Sequence, residues 1–213
     1  LVFIIAKYFF MKRILLFAVL MMVQLGFGQR TASVNGNWNN TATWGGLSVP
    51  SSTDPVVINV GVTVTVNVTD ATCASLIIGS ANGTGTLTFA NTGSPVLTVL
   101  GNVDVGNSGH KNRDGTILFT NGSTLIANSL RLGTTGDQVG TITMTDGGTL
   151  KVNGSLTVGG SGSVWTPGTG TVELSATNTL PTTKFTSFNN LNVISGTTTM
   201  GTGLTINGNL NIA

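Results

Sequence analysis

Lys151 to Gly160 reads KVNGSLTVGG. Two short alternating apolar pieces, ending at Val152 and Val158, flank an Asn-Gly corner, and a Gly-Gly pair closes the stretch. Bare glycines also occur in phosphate-cradling loops, where a strand leads through them into a helix whose first amides face the anion. No helical periodicity follows Gly160 and no Gly-Lys-Ser/Thr occurs in the chain. The stretch therefore reads as strand, corner, strand and turn.

The same piece recurs along the chain: SLIIG at Ser75, NVDVG at Asn102, SLRLG at Ser129, SLTVG at Ser155, NLNVI at Asn190 and NLNIA at Asn209. Its first apolar residues, Leu76, Val103, Leu130, Leu156, Leu191 and Leu210, are 27, 27, 26, 35 and 19 apart. The last two spacings together make 54, so the reading is a period of about 27 residues with one displaced unit. Ser or Asn precedes each strand, where a short polar side chain bonds its own turn. The alternate apolar residues point to one face and line a core. Gly79, Gly106, Gly133 and Gly159 follow the first four strands, where a positive φ is expected.

Two further series accompany the first. One comprises VTVTV at Val62, VLTV at Val96, TLIA at Thr124, TLKV at Thr149 and GLTI at Gly203. The other opens with Gly-Thr at Gly85, Gly115, Gly140, Gly170 and Gly196, giving TLTF, TILF, TITM, TVEL and TTTM. Three short strands per unit predict an all-β parallel β-helix of about five to six coils, each strand pairing with its counterpart ~4.8 Å away. A β-sandwich is the structural rival, since it too has short strands separated by frequent turns. It does not predict matching residue types at a constant period.

The beginning of the chain, up to Gly28, reads differently. From Met11, a basic pair, Lys12 and Arg13, precedes the apolar run Ile14 to Val23 and the small-residue end LGFG. That is the order of a secretory signal peptide, and about 10 apolar residues fall short of the ~20 that a spanning helix needs. Residues 1–10 read as translated upstream sequence. Beyond the leader, six Lys and Arg face seven Asp and Glu, so the basic balance of the whole chain belongs to the leader. Clustered cations for nucleic-acid binding are missing from the mature portion. One cysteine, Cys73, excludes an intramolecular disulfide framework and reads as a buried small apolar residue.

Residues 29–52, with Trp38, Trp44 and a Gly-Gly, read as an N-terminal cap, and residues 53–213 as the repeats. The order Trp38, Trp44, Pro50, Asp54, Val57, Ile58, Gly61, Val62 and Val64, followed by SLIIG and GTLTF, resembles the eight-glycine extracellular domain. It is also similar to the opening coils of large secreted β-helical proteins of Gram-negative bacteria, many of them cargo of the type IX secretion system. The resemblance covers residues 34–90 and the remainder only as generic repeats. It implies an exported, cell-surface or outer-membrane protein acting as adhesin, stalk or spacer, with surface glycans or other surface proteins as partners. The sorting domain of such cargo does not follow here. Because NGNLNIA closes the chain inside a core strand, further sequence after Ala213 is expected.

Candidate sites are few. The segment GNSGHKNRDG carries His110, Lys111, Arg113 and Asp114, the densest charge and the single histidine. Its competing readings are a glycan or acid-base site and a solvated insertion between coils. Trp165 is the best lone sugar-stacking residue, and equally a packing residue at a coil edge. A polysaccharide-active enzyme is the runner-up to the non-catalytic reading, and it requires paired carboxylates on one strand face. Asp104 and Arg131 share an outward column one unit apart, which predicts an ion pair instead. Metal-spaced His and Cys clusters and cofactor motifs are not read. TITMT and TVTV suggest threonine arrays of the ice-binding kind, but the outward columns are read as mixing Thr with Asp, Arg and Asn, which makes the threonines good strand formers and no more.

Overall fold

Alternation of apolar residues with Thr, Asn and Ser buries one face of a strand and leaves the other to solvent. The computed structural model, described over residues 28–80, 83–106, 113–134, 136–181, 183–200 and 203–213, consists of such strands and one short 3-10 helix, Thr41–Trp44. Every pairing between described strands is parallel. One sheet has eleven strands and a second has six, and two two-stranded pairs complete the set. From Pro55–Ile58 to Thr171–Leu174 the chain passes back and forth between the two large sheets, adding one strand to the second sheet at each pass. The architecture is all-β and repetitive, and its parallel sheets are compatible with a parallel β-helix.

The long sheet contains two columns. Leu76, Val103, Leu130 and Leu156 stack in register as the recurring motif predicts. Leu97, Leu125, Leu150, Val172, Leu191 and Leu210 form the other column. Leu191 and Leu210 therefore belong to a different column from Leu76, and the reading of a constant period with one displaced unit is corrected. The repeat shortens instead, with Thr171 paired to Asn190 and Leu191 to Leu210.

The TVEL strand also changes place. Its Gly-Thr opening groups it with the Gly-Thr strands, yet Thr171–Leu174 pairs with Thr149–Val152 in the long sheet. The fourth partner in the Gly-Thr series is Val164–Thr166. A tight turn explains this: the Gly170 N–H bonds the Pro167 carbonyl at 2.9 Å and returns the chain to the long sheet at once.

The corner between the sheets explains two glycine columns together. Gly79, Gly106 and Gly133 have φ of 86°, 81° and 62°. A Cβ on Gly115 would collide with the Gly106 nitrogen and the Ile78 carbonyl oxygen, and one on Gly140 with the Val105 carbonyl oxygen. Backbone therefore passes directly over backbone at each crossing. Gly159 does not share the positive φ; a Cβ there would strike the Thr134 carbonyl.

Between the sheets lies one apolar core, in which each fully buried Leu, Ile or Val contributes ~1.5–3 kcal/mol. Cys73 sits inside it, and burial, reinforced by the Asp54 charge, pushes its thiol far above the ordinary value. Residues 29–52 supply two strands, Arg30–Ala32 and Gly36–Asn37, to the two sheets. They also supply the 3-10 helix, whose Asn40 cap accepts the Ala42 N–H at 3.0 Å. Trp38 and Trp44 are buried edge to face, with ring centroids 5.1 Å apart. Residues 1–27, all but the last residue of the expected leader, lie outside the described residues. Among the described residues no helix is long and apolar enough to cross a membrane.

Candidate functional site

The outward face of the long sheet carries two pairs of opposite strand-borne charges. Asp104 and Arg131, one unit apart, form a bidentate pair, Nε and Nη2 each donating to one carboxylate oxygen at 2.7 Å. The hydrogen bond to Asp104 raises the Arg131 pKa above its already high value. One column over, Lys151 and Glu173 are 2.8 Å apart on paired strands. The ladder continues through amides, Asn192 donating to Glu173 at 3.5 Å and Asn211 to Asn192 at 2.9 Å. Each charged group is thus turned toward the next unit, and the two carboxylates do not face one another.

The charged segment is only partly visible. His110 and Lys111 lie outside the described residues. Arg113 and Asp114 open the strand Arg113–Leu118 and pair with Gly83 and Thr84. Asp114 accepts the Val139 N–H at 2.8 Å, tying its strand to the next unit, while Arg113 Nε is buried without a partner among the described residues. Trp165 is not near them in the fold. It pairs with Ile142 in the inward row that runs Val64, Leu87, Ile117, Ile142, Trp165. Its ring lies 4.9 Å from Phe185 and 5.6 Å from Phe188, and its indole N–H donates to the Ser187 carbonyl at 2.7 Å. The indole packs where the second sheet meets the following short strands. Among the described residues no three His, Cys, Asp or Glu side chains gather as a metal ion requires.

Two other surfaces emerge that the charge pattern does not indicate. A groove of about 240 Å³ lies beside the last strand, walled by Leu191, Val193, Met200, Leu210 and Ile212. The outward face of the second sheet holds two rows of threonine, read directly from the register. Thr63, Thr86, Thr116 and Thr141 form one row, ended by Val164. Asn37, Thr65, Thr88, Leu118, Thr143 and Thr166 form the other. The expected mixing of Thr with Asp, Arg and Asn holds on the long sheet, where Asp104, Arg131 and Thr157 share a column, but not along these two rows between Thr63 and Thr143. Threonines also line the long sheet, at Thr124, Thr149 and Thr171, but there they stand beside columns that hold the charged pairs. The available signal is Thr-x-Thr at 63–65, 86–88 and 141–143, once the three segments are assigned to the same strand series.

The geometry defines a class, an all-β chain of stacked units with parallel sheets, whose polar side chains run in rows from unit to unit. Compared with known protein families, curated proteins and solved structures, the chain matches none of them.

Proposed function

We propose that the chain is a parallel β-helix exported to the cell surface, serving there as a non-catalytic stalk, spacer or adhesive segment. In this reading the six strands of the second sheet count six long coils, continued by the shorter coils in which Thr171 meets Asn190 and Leu191 meets Leu210. The observation that carries it is the outward ladder in which Asp104 pairs with Arg131 and Lys151 with Glu173. Charges directed along the stack support its register. A glycosidase instead needs two carboxylates that flank one bond, one of them holding a proton. The leader-like order of Lys12, Arg13 and Ile14 to Val23 supports export. Glycans or proteins of neighbouring surfaces are the partners such a segment would meet.

The test is the fate of the full chain in a Gram-negative host. Cleavage near Gly28, followed by loss of the protein when intact cells are treated with protease, is expected. An uncleaved cytoplasmic product overturns export. Release of reducing sugar from a polysaccharide panel overturns the non-catalytic reading.

A further inference from the structure

We propose that the threonine face of the second sheet binds ice. Ten outward positions in five successive strands hold eight threonines, Leu118 and Val164, and no charge. Exposed sheet faces ordinarily carry Lys and Glu for solubility and against edge association. Here the carboxylate on that face, Asp114, lies at the start of its strand beside Arg113 and accepts the Val139 N–H, outside the two threonine rows. Each threonine is half-buried at its base and presents a methyl and a hydroxyl outward.

The hydroxyls of this face are left unpaired within the described residues, as are those of Thr98, Thr124 and Thr149 on the long sheet. Those of Thr43, Thr120, Ser123 and Ser163 all donate to backbone carbonyls. None of the eight face hydroxyls gives a hydrogen bond to, or takes one from, another described residue. Their donors and acceptors are left to whatever lies outside the sheet.

Spacing identifies that occupant. Neighbouring threonines in a row stand ~4.8 Å apart, and the two members of a Thr-x-Thr stand ~6.6 Å apart, twice the rise per residue of a parallel strand. Liquid water has no repeat in two perpendicular directions. The prism face of hexagonal ice has one, with spacings close to these. Threonine is stiff at χ1, so the array is held in place before contact and loses little side-chain freedom on binding. Many weak contacts acting together then suffice for a crystal that presents the same net everywhere.

The varying unit length does not spoil the match. The chain takes a shorter path from Val64 to Leu87 than from Leu87 to Ile117, yet the pairing stays unbroken from Thr63 to Thr143. The extra residues fall between strands. By contrast, the long sheet shifts register between Ala127 and Ser129. Inside the second sheet, Val64, Leu87, Ile117 and Ile142 stack in one ladder, the kind of arrangement that keeps a sheet flat.

The experiment grows a single ice crystal slowly in a solution of the fluorescently labelled full chain and reads the fraction incorporated. The wild type is expected to enter the ice and to facet it. Thr88→Lys and Thr141→Lys, made separately, are each expected to lose incorporation, while Thr98→Lys on the long sheet keeps it. Circular dichroism identifies the folded variants, and either folded variant decides the matter. Exclusion of the wild type from ice overturns the proposal, as does equal incorporation of all four proteins. Binding to crystalline chitin or cellulose through the same threonines, with ice ignored, also overturns it.

Discussion

Residues 54–166 and residues 171–213 stack the same kind of strand with different amounts of chain. In the first region each unit places strands in both large sheets, and the core residues Leu76, Leu87, Leu97, Ile117, Leu125 and Leu130 are fully buried. In the second the unit shortens, and the side strands shrink to Asn178–Thr179, Ser187–Phe188, Thr198–Thr199 and Thr205–Ile206. Shorter units enclose a narrower core. Phe185 and Phe188, stacked beside Trp165, fill part of it with aromatic rings, as Phe89 and Phe119 do in the first region. Leu210 and Ile212 remain 47% and 73% exposed in the last strand. Leu191 and Val193, one strand earlier, are still buried, so the short units keep an apolar core up to that strand.

The largest expected effect contrasts a buried strand with the last one. Leu130→Ala, in the middle of the first region, should cost ~2–5 kcal/mol, the range for a buried leucine whose cavity cannot collapse. Leu210→Ala should cost no more than ~0.5 kcal/mol, as a surface change does. Urea unfolding monitored by circular dichroism measures both. Equal losses would mean that the two regions unfold as one cooperative core.

Glycine substitutions sharpen the same contrast at the corners. Gly115→Ala drives a methyl into the Gly106 nitrogen and the Ile78 carbonyl, with an expected loss of ~1–3 kcal/mol or more. Gly203 has φ of 59° and open space around the position of a Cβ. Gly203→Ala therefore meets only the left-handed backbone penalty, ~1 kcal/mol. The comparison of unfolding midpoints fails if Gly203→Ala is the more damaging change.

These positions also mark how far the sequence can be read. The Leu76 column is legible because Ser or Asn, two inward apolar residues and Gly recur together, and each has a separate physical task. TVEL is not, because both sheets use Thr followed by alternating apolar residues, and only the partner strand decides which sheet receives it. Trp165 offers a signal in VWT, where alternation sets it inward between two outward residues. No Gly-Thr precedes that strand, so the motif that finds its neighbours does not find it. Leu191 and Leu210 are misplaced by arithmetic, since 35 and 19 happen to make two periods while the unit itself has shortened to 19. For the surface, the charged pair Asp104 and Arg131 follows from register alone. The threonine rows require knowing which strands share a sheet.

Salt provides a smaller effect. The Asp104–Arg131 pair has a half-exposed guanidinium, so Arg131→Ala should cost only ~1 kcal/mol despite its bidentate geometry. The corresponding contact in the second region, Asn192 with Asn211, is between neutral amides. Double-mutant cycles on each pair should give a coupling that weakens near ~1 M salt for the first and stays constant for the second. A salt-insensitive Asp104–Arg131 coupling would assign it to packing of the arginine stem.

Acid should act on one region before the other. After Glu173 the sequence has no Asp or Glu, so the short-unit region has no side-chain carboxylate beyond its first strand. At the opposite end Asp54 is buried, which by itself raises its pKa, but the Ser51 hydroxyl and N–H at 2.7 and 2.9 Å and Arg30 at 3.6 Å outweigh burial and hold it below the ordinary carboxyl value. A carboxyl with a lowered folded pKa stabilises the fold fully above its unfolded value and loses that stabilisation as pH falls through the folded one. The N-terminal end should therefore loosen as pH falls below the ordinary carboxyl range. Trp38 and Trp44 report it, since Trp165→Phe leaves them as the remaining indoles. In that background their emission should shift red in acid, and adding Asp54→Asn should flatten that response while lowering stability at neutral pH. An unchanged acid transition in the Asp54→Asn protein would move the acid-sensitive contact away from Asp54 and leave the two ends alike.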